Sequence, residues 1–174
     1  MTTIITLSGS LRVQSFNTRI LHALPSLAPH GVNVEFFDVS DLGLYNQDDD
    51  AETVPDSVAR LRATVGAALG IVIATPEYNH SFSSVAKNFI DWASRPFNAG
   101  PILKKPVMLI AAGPGPGGGA NALEATGTLM GLLGCPIVAS IGIASAHEKI
   151  NEAGQITDNQ LAQQLTDGLS AFLN

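Results

Sequence analysis

Short apolar or β-branched runs alternate along the chain with segments whose apolar residues recur at helical spacing. Thr3 to Ser8 is strand-like, Phe16 to Pro29 places Ile20, Leu21, Leu24 and Leu27 on one helical face, and Val32 to Asp38 is strand-like again. A long polar connection, Val39 to Pro55, leads to a helix predicted over Asp56 to Gly66 and then a buried strand over Leu69 to Ala74. From Ser83 to Ser94 a helix gathers Val85, Ala86, Phe89, Ile90, Trp92 and Ala93 on a broad apolar face, leaving Lys87, Asn88 and Asp91 polar. Pro106 to Ala112 is the fourth strand. The Gly/Pro run from Gly113 to Gly119 cannot sit inside a regular element and is a loop. Ala120 to Leu133 is the next helix, with Gly134 as its stop, and Pro136 to Ile143 the fifth strand. Asp158 to Leu173 closes the chain as a helix with Leu161, Leu165, Leu169 and Phe172 inward.

Five β-α units predict an α/β fold: a three-layer sandwich whose five-stranded parallel sheet carries helices on both faces. Right-handed crossovers leave few topologies, and strand order 2-1-3-4-5 is expected. A length of 174 residues without a linker-like stretch is one domain, residues 1–174. Hydrophobic residues make up 45% of the chain and charged residues 14%, a greasy balance for a small protein. It has two explanations that the sequence leaves open: a sheet buried on both faces, or surface buried between subunits.

Charge and cysteine usage remove several function classes. The net charge is -6 and the nine Lys and Arg are scattered, so no nucleic-acid surface is expected. The longest apolar runs are strand-sized, well short of the ~20 residues that a spanning helix needs, so no membrane is expected. Cys135 stands alone and excludes a disulfide framework or a thiolate metal site. The opening residues carry no basic n-region, and a reducing cytoplasm is the expected location.

The chemistry concentrates in loops that join strand ends to helix starts, the edge of an open α/β sheet where ligands bind. Gly9 to Ser15 is the first. Ser10, Arg12 and Ser15, with Phe16 and Asn17 just beyond, bring hydroxyls, a forked cation and a helix amino terminus together, which suits a phosphate. The competing reading makes Ser15 a helix cap and Arg12 a solvated side chain. Neither Gly-x-Gly-x-x-Gly nor Gly-Lys-Ser/Thr occurs in this first loop, which favours a mononucleotide over a Rossmann-bound dinucleotide or a P-loop triphosphate.

Pro76, Glu77, Tyr78, Asn79 and Ser81 form the second loop, with backbone amides and an aromatic face suited to a flat polar ring. Its competing reading is a plain turn with Glu77 solvated and Asn79 or Ser81 capping the next helix. Gly113, Gly115, Gly117 and Gly118 of the third loop permit close backbone approach to a ligand.

Gly-Ser-Leu-Arg-x-x-Ser-x-Asn at 9 to 17, Pro-Glu-Tyr-Asn-x-Ser at 76 to 81 followed by Lys-Asn-Phe-Ile-Asp-Trp at 87 to 92, and the Gly-Pro-Gly loop together resemble the NADPH-dependent FMN reductase family over nearly the whole chain. The resemblance implies a flavodoxin-like fold and bound FMN, with NADPH or NADH as reductant. Two-electron transfer would run by a ping-pong mechanism to a small-molecule acceptor: a flavin, a quinone, an azo compound or a metal oxyanion such as chromate. It also implies a homodimer or homotetramer.

By matching position, Ser10, Arg12, Ser15, Phe16 and Asn17 would hold the ribityl phosphate. Pro76 to Asn79 with Ser81 would hold the ring, and Gly113, Gly115, Gly117 and Gly118 would lie near its pyrimidine end. No side-chain acid or nucleophile is expected, because the flavin carries the chemistry. The chain departs from the family at Gly113, where relatives often have Ser, and at Asn121, where they often have a basic residue. The alternative function is a flavodoxin-type electron carrier without its own NAD(P)H oxidation.

Other features carry less. His22, His30, His80 and His147 lack metal-site spacing, Asp48-Asp49-Asp50 lacks the Gly and terminal Glu of a calcium loop, and Cys135 is expected to be a buried inert thiol.

Overall fold

The computed structural model describes residues 2–174. In chain order they form β1 (Thr2–Ser8), α1 (Phe16–Ala23), β2 (Val32–Phe37), α2 (Asp56–Ala67), β3 (Gly70–Ala74), a small hairpin of β4 (Glu77–Tyr78) and β5 (Ser81–Phe82), and α3 (Ser84–Ala93). β6 (Val107–Ala112), α4 (Ala120–Leu132), β7 (Ile137–Ile143), α5 (Ala146–Lys149) and α6 (Asn159–Ser170) follow. The main sheet runs β2-β1-β3-β6-β7 with every pair parallel. That is the expected 2-1-3-4-5 order once the two hairpin strands enter the count.

Register places Ile4 beside both Val34 and Gly70, Ile71 beside Val107, and Ile110 beside Ile141. Side chains alternate across a strand, so each central strand feeds two cores. Ile5, Leu7, Ile71, Ile73 and Leu109 pack on one face with Leu61 of α2 and with Phe89 and Trp92 of α3. Ile4, Val72, Met108 and Ile110 pack on the other with Leu21 of α1 and with Leu165 and Leu169 of α6. β3 and β6 are buried along their whole length, which accounts for the near-continuous apolar runs there.

Several boundaries moved for identifiable reasons. α1 stops at Ala23, short of the expected Pro29, because Pro25 lacks an N–H and the chain tightens into a 3-10 turn over Leu24–Leu27. The terminal helix is regular over Asn159–Ser170, capped by Asp158, and finishes as a 3-10 turn over Ala171–Leu173. Gly134 does terminate α4, at φ 74°. The hairpin and α5 had no pattern long enough to predict them.

The long connection after β2 is pinned to α3. The Trp92 indole N–H donates to the Gly43 carbonyl (2.9 Å), the Tyr45 amide donates to Asn88 Oδ1 (2.7 Å), and the rings of Tyr45 and Trp92 meet edge to face. Of the three consecutive aspartates in that connection, Asp50 is paired with Arg62 at 2.7 Å in a mostly buried contact.

Candidate functional site

Parallel strands end together, so the loops after β1, β3 and β6 meet at one edge of the sheet. The first is tightly wound. The Ser10 amide donates to Ser8 Oγ (3.2 Å), the Arg12 amide to Ser10 Oγ (3.4 Å) and the Ser15 amide to the Arg12 carbonyl (3.0 Å). Ser15 is buried and caps α1, accepting from the Thr18 amide at 3.3 Å. Its hydroxyl is thus already used as an acceptor, as the capping alternative held.

The amides of Phe16 and Asn17 donate to no protein acceptor among the described residues. They are two of the orphan donors of a helix start, at the positive end of its dipole. Arg12 is exposed, and its guanidinium donates to the Gln14 carbonyl (3.0 Å) and to no carboxylate among the described residues. Asn17 lines the cavity where these loops meet. Its carboxamide is buried and holds the backbone of Ala112 with two 3.0 Å hydrogen bonds, and its backbone amide is left without a protein acceptor among the described residues.

The second loop is locked to the first through Ser83. The Ser83 hydroxyl donates to the Gly9 carbonyl (2.6 Å) and accepts from the Ala86 amide (3.1 Å), while the Ser83 amide donates to Thr75 Oγ1 (3.1 Å). Ser83, rather than Asn79 or Ser81, is therefore the cap of α3. Gly9 must be glycine at this contact, because a Cβ there would lie 2.7 Å from Ser83 Oγ. Asn79 and His80 take the two left-handed positions of a hairpin turn, φ 51° and 59°, which Asn tolerates well. Tyr78 stands 54% exposed beside the turn.

The third loop is fastened from behind. The Ala146 amide donates to the Gly113 carbonyl (3.0 Å), the Ser145 amide to the Gly115 carbonyl (3.1 Å), and the Gly113 amide to the Ile143 carbonyl (3.2 Å). The loop runs into α4 through Gly119, a left-handed helix cap with no side chain. Glu77, read from sequence as either solvated or ring-binding, lines the cavity and engages the amides at the start of α4. Those bonds, led by the one from the Asn121 side chain, hold its carboxyl below the usual glutamate range.

A cavity of about 280 Å³ lies among the three loops. Ser10, Arg12, Ser15, Phe16 and Asn17 from the first loop and helix start, Pro76, Glu77 and Tyr78 from the second loop, and Gly113, Gly115, Gly117 and Gly118 from the third line it. Asn79 and Ser81 are not in the lining. Ala112, Pro114 and Gly119 are, although no side-chain chemistry singled them out; their position within or beside the Gly/Pro run was the available signal. The first loop offers a cation and unpaired amides, the third mostly backbone.

No group of three or more His, Cys, Asp or Glu that could hold a metal ion occurs among the described residues. Cys135 is buried, donates to the Ile102 carbonyl (3.1 Å), and has its thiol pKa raised chiefly by desolvation. No described helix is long and apolar enough to cross a membrane.

Residues 2–149 match the family model for NADPH-dependent FMN reductase. An NAD(P)H-dependent FMN reductase of Pseudomonas aeruginosa is 36% identical over 171 residues, covering 97% of this chain and 92% of its own. A quinone reductase of Escherichia coli K12 is 32% identical, with the same two coverages. Among solved structures, the flavoenzyme NAD(P)H:(acceptor) oxidoreductase FerB of Paracoccus denitrificans superposes with a TM-score of 0.84 at 30% identity, covering 99% of this chain and 96% of the other. An azoreductase of Bacillus anthracis shares the fold, with a TM-score of 0.58 at 18% identity and coverages of 99% and 98%.

Proposed function

The chain belongs to the NADPH-dependent FMN reductase family, and from that premise we propose that the cavity at its sheet edge holds FMN for NAD(P)H-dependent reduction of quinone-like acceptors. The observation that carries the reading is the polarity of the cavity itself. An anion-seeking first loop and a backbone-lined glycine loop share the lining with a second loop that presents Tyr78. The donor set fits the group: the unpaired amides of Phe16 and Asn17 and the Arg12 guanidinium match a terminal phosphate, with Ser10 and Ser15 beside them.

Pro76, Glu77 and Tyr78 would border the ring. Gly113, Gly115, Gly117 and Gly118 would bring backbone to its pyrimidine end, and Asn79 and Ser81 would act from the hairpin behind. Bound FMN supplies the two-electron chemistry between NAD(P)H and acceptor. The chain binds and orients. The Arg12 charge and the α1 dipole would hold the dianionic end, while the Ser83 and Asn17 bonds keep the loops from drifting apart.

Tyr78 gives the mouth an aromatic rim without closing it, so flat acceptors of several kinds can enter, quinones foremost, with flavins, azo compounds and chromate in the same reading. Reductant and acceptor then use one mouth in turn, which is a ping-pong order. The reading extends to residues 1–174 as one flavodoxin-like domain, to a cytoplasmic location, and to a homodimer or homotetramer.

Steady-state oxidation of NADPH or NADH by the FMN-loaded protein with a benzoquinone tests the proposal. Turnover with parallel initial-velocity lines supports it; NAD(P)H oxidation no faster than that of free FMN would leave an electron carrier.

A further inference from the structure

α4 begins at a corner that cannot cap itself. Gly119 occupies its N-cap at φ 74°, where a Cβ would lie 2.4 Å from that of Ala111. No Ser, Thr or Asp can stand there to take the first free amides of the helix. The acceptor arrives from 44 residues away. Glu77 Oε2 accepts from the Asn121 amide at 3.0 Å and from the Ala122 amide at 3.2 Å, and Glu77 Oε1 accepts from Asn121 Nδ2 at 3.0 Å. One carboxylate thus satisfies two orphan donors and orders the side chain of Asn121. It also complements the positive end of the helix.

The carboxylate bridges two walls of the cavity. Glu77 and Tyr78 form β4 on one side, and Gly117 to Gly119 run directly into α4 on the other. The 113–119 loop has front and rear attachments. Ser145 and Ala146 hold its rear, and Glu77 holds the helix into which it leads.

We propose that Glu77 is a positioning residue, a helix cap supplied in trans that sets the separation of the ring-facing hairpin from the glycine loop. Its carboxylate acts through α4, and its own contact with a bound molecule is not what matters. The inference rests on the FMN reading of the cavity.

Four variants and two readouts test it. Amide hydrogen exchange at Asn121 and Ala122, measured by NMR on the cofactor-free protein, reports the cap; FMN titration followed by fluorescence reports the site. Glu77→Ala is expected to speed exchange of both amides by about tenfold or more and to weaken FMN by about tenfold, the loss of a helix cap. Glu77→Gln keeps a carbonyl acceptor at the same reach and is expected to stay within about threefold on both readouts. Glu77→Asp keeps the charge but withdraws it by one methylene and is expected to behave like the alanine variant, which also covers the case where Glu77→Ala does not fold. Asn121→Ala should leave the Ala122 amide protected, because the backbone bonds remain.

Unchanged exchange in Glu77→Ala and Glu77→Asp would overturn the cap. Fast exchange with unchanged FMN affinity would overturn its positioning role. Glu77→Gln losing FMN while Ala122 stays protected would make Glu77 a direct ligand instead. Failure of the wild-type protein to bind FMN would sink the functional reading and the positioning role together, and it is told apart from the others because the exchange readout needs no cofactor.

Discussion

Asn17 and Ala112 exchange two hydrogen bonds of 3.0 Å across 95 residues of chain, side-chain amide to backbone in both directions. The geometry explains why. β3 pairs with β6 only as far as Ile110, so Ala112, two residues on and facing the same way, presents an N–H and a carbonyl where the neighbouring strand has ended. The Asn17 carboxamide replaces the missing strand and ties the start of α1 to the start of the glycine loop. Replacing Asn17 by Ala would leave both buried groups of Ala112 unpaired and is expected to lower stability by about 2–4 kcal/mol, read as a shift of the urea midpoint. Asn17→Asp restores an acceptor for the Ala112 amide but sets an anion against its carbonyl, so it should rescue little.

Arg12 is expected to contribute to binding rather than to turnover. Its guanidinium is exposed and has no carboxylate to release, so Arg12→Ala should leave the melting temperature nearly unchanged. FMN affinity should fall on the order of tenfold to a hundredfold, as expected for loss of a charge-assisted bond to phosphate. The rate constant of the flavin-loaded fraction should hold. Titration of free FMN followed by normalised turnover separates the two.

Two glycines of the third loop make opposite predictions. At Gly119 an added methyl meets Ala111 and the backbone is left-handed, so Gly119→Ala should destabilise by about 2 kcal/mol or more. At Gly115 a Cβ meets nothing within 4 Å and φ is not positive. Gly115→Ala should therefore keep stability within about 0.5 kcal/mol while weakening FMN, because Gly115 lines the cavity proposed to hold it. Paired urea unfolding and FMN titrations check both.

The cap at α4 has an acid limit. Hydrogen bonds from Asn121 and Ala122, with His80 nearby at 3.8 Å, hold the Glu77 carboxyl below its ordinary value. A depressed folded pKa means that its stabilisation is present above the unfolded value of about 4.3 and is lost as pH falls through the lower folded one. The amide shifts of Asn121 and Ala122 should hold steady from neutrality to about pH 5 and move only at more acid pH. In Glu77→Gln that transition should be absent.

The fold was legible because burial on both faces writes itself into continuous apolar runs, as in Gly70 to Ala74 and Val107 to Ala112. The three loops followed from the strand ends, and the structure gathers the expected residues around one cavity except Asn79 and Ser81. What sequence could not show was which polar groups are already spent. Ser15, whose partner Thr18 is only three residues on, is readable as a cap; Asn17 and Glu77 carry the right chemistry for a ligand, yet their side chains serve a strand end and a distant helix start. Partners 44 and 95 residues away leave no local spacing to read. The hairpin at Asn79 and His80 escaped for a related reason, since two-residue strands are too short to carry a period.

The proposed function requires that the cavity retain FMN and present it to a reduced nicotinamide. The decisive measurement is the visible spectrum of the purified protein after incubation with FMN and desalting, followed by anaerobic addition of NADPH and then of a quinone. The expected result is yellow protein carrying about one flavin per chain, bleached by the nicotinamide and recoloured by the quinone. Protein that emerges colourless, or stays yellow when NADPH is added, would contradict it.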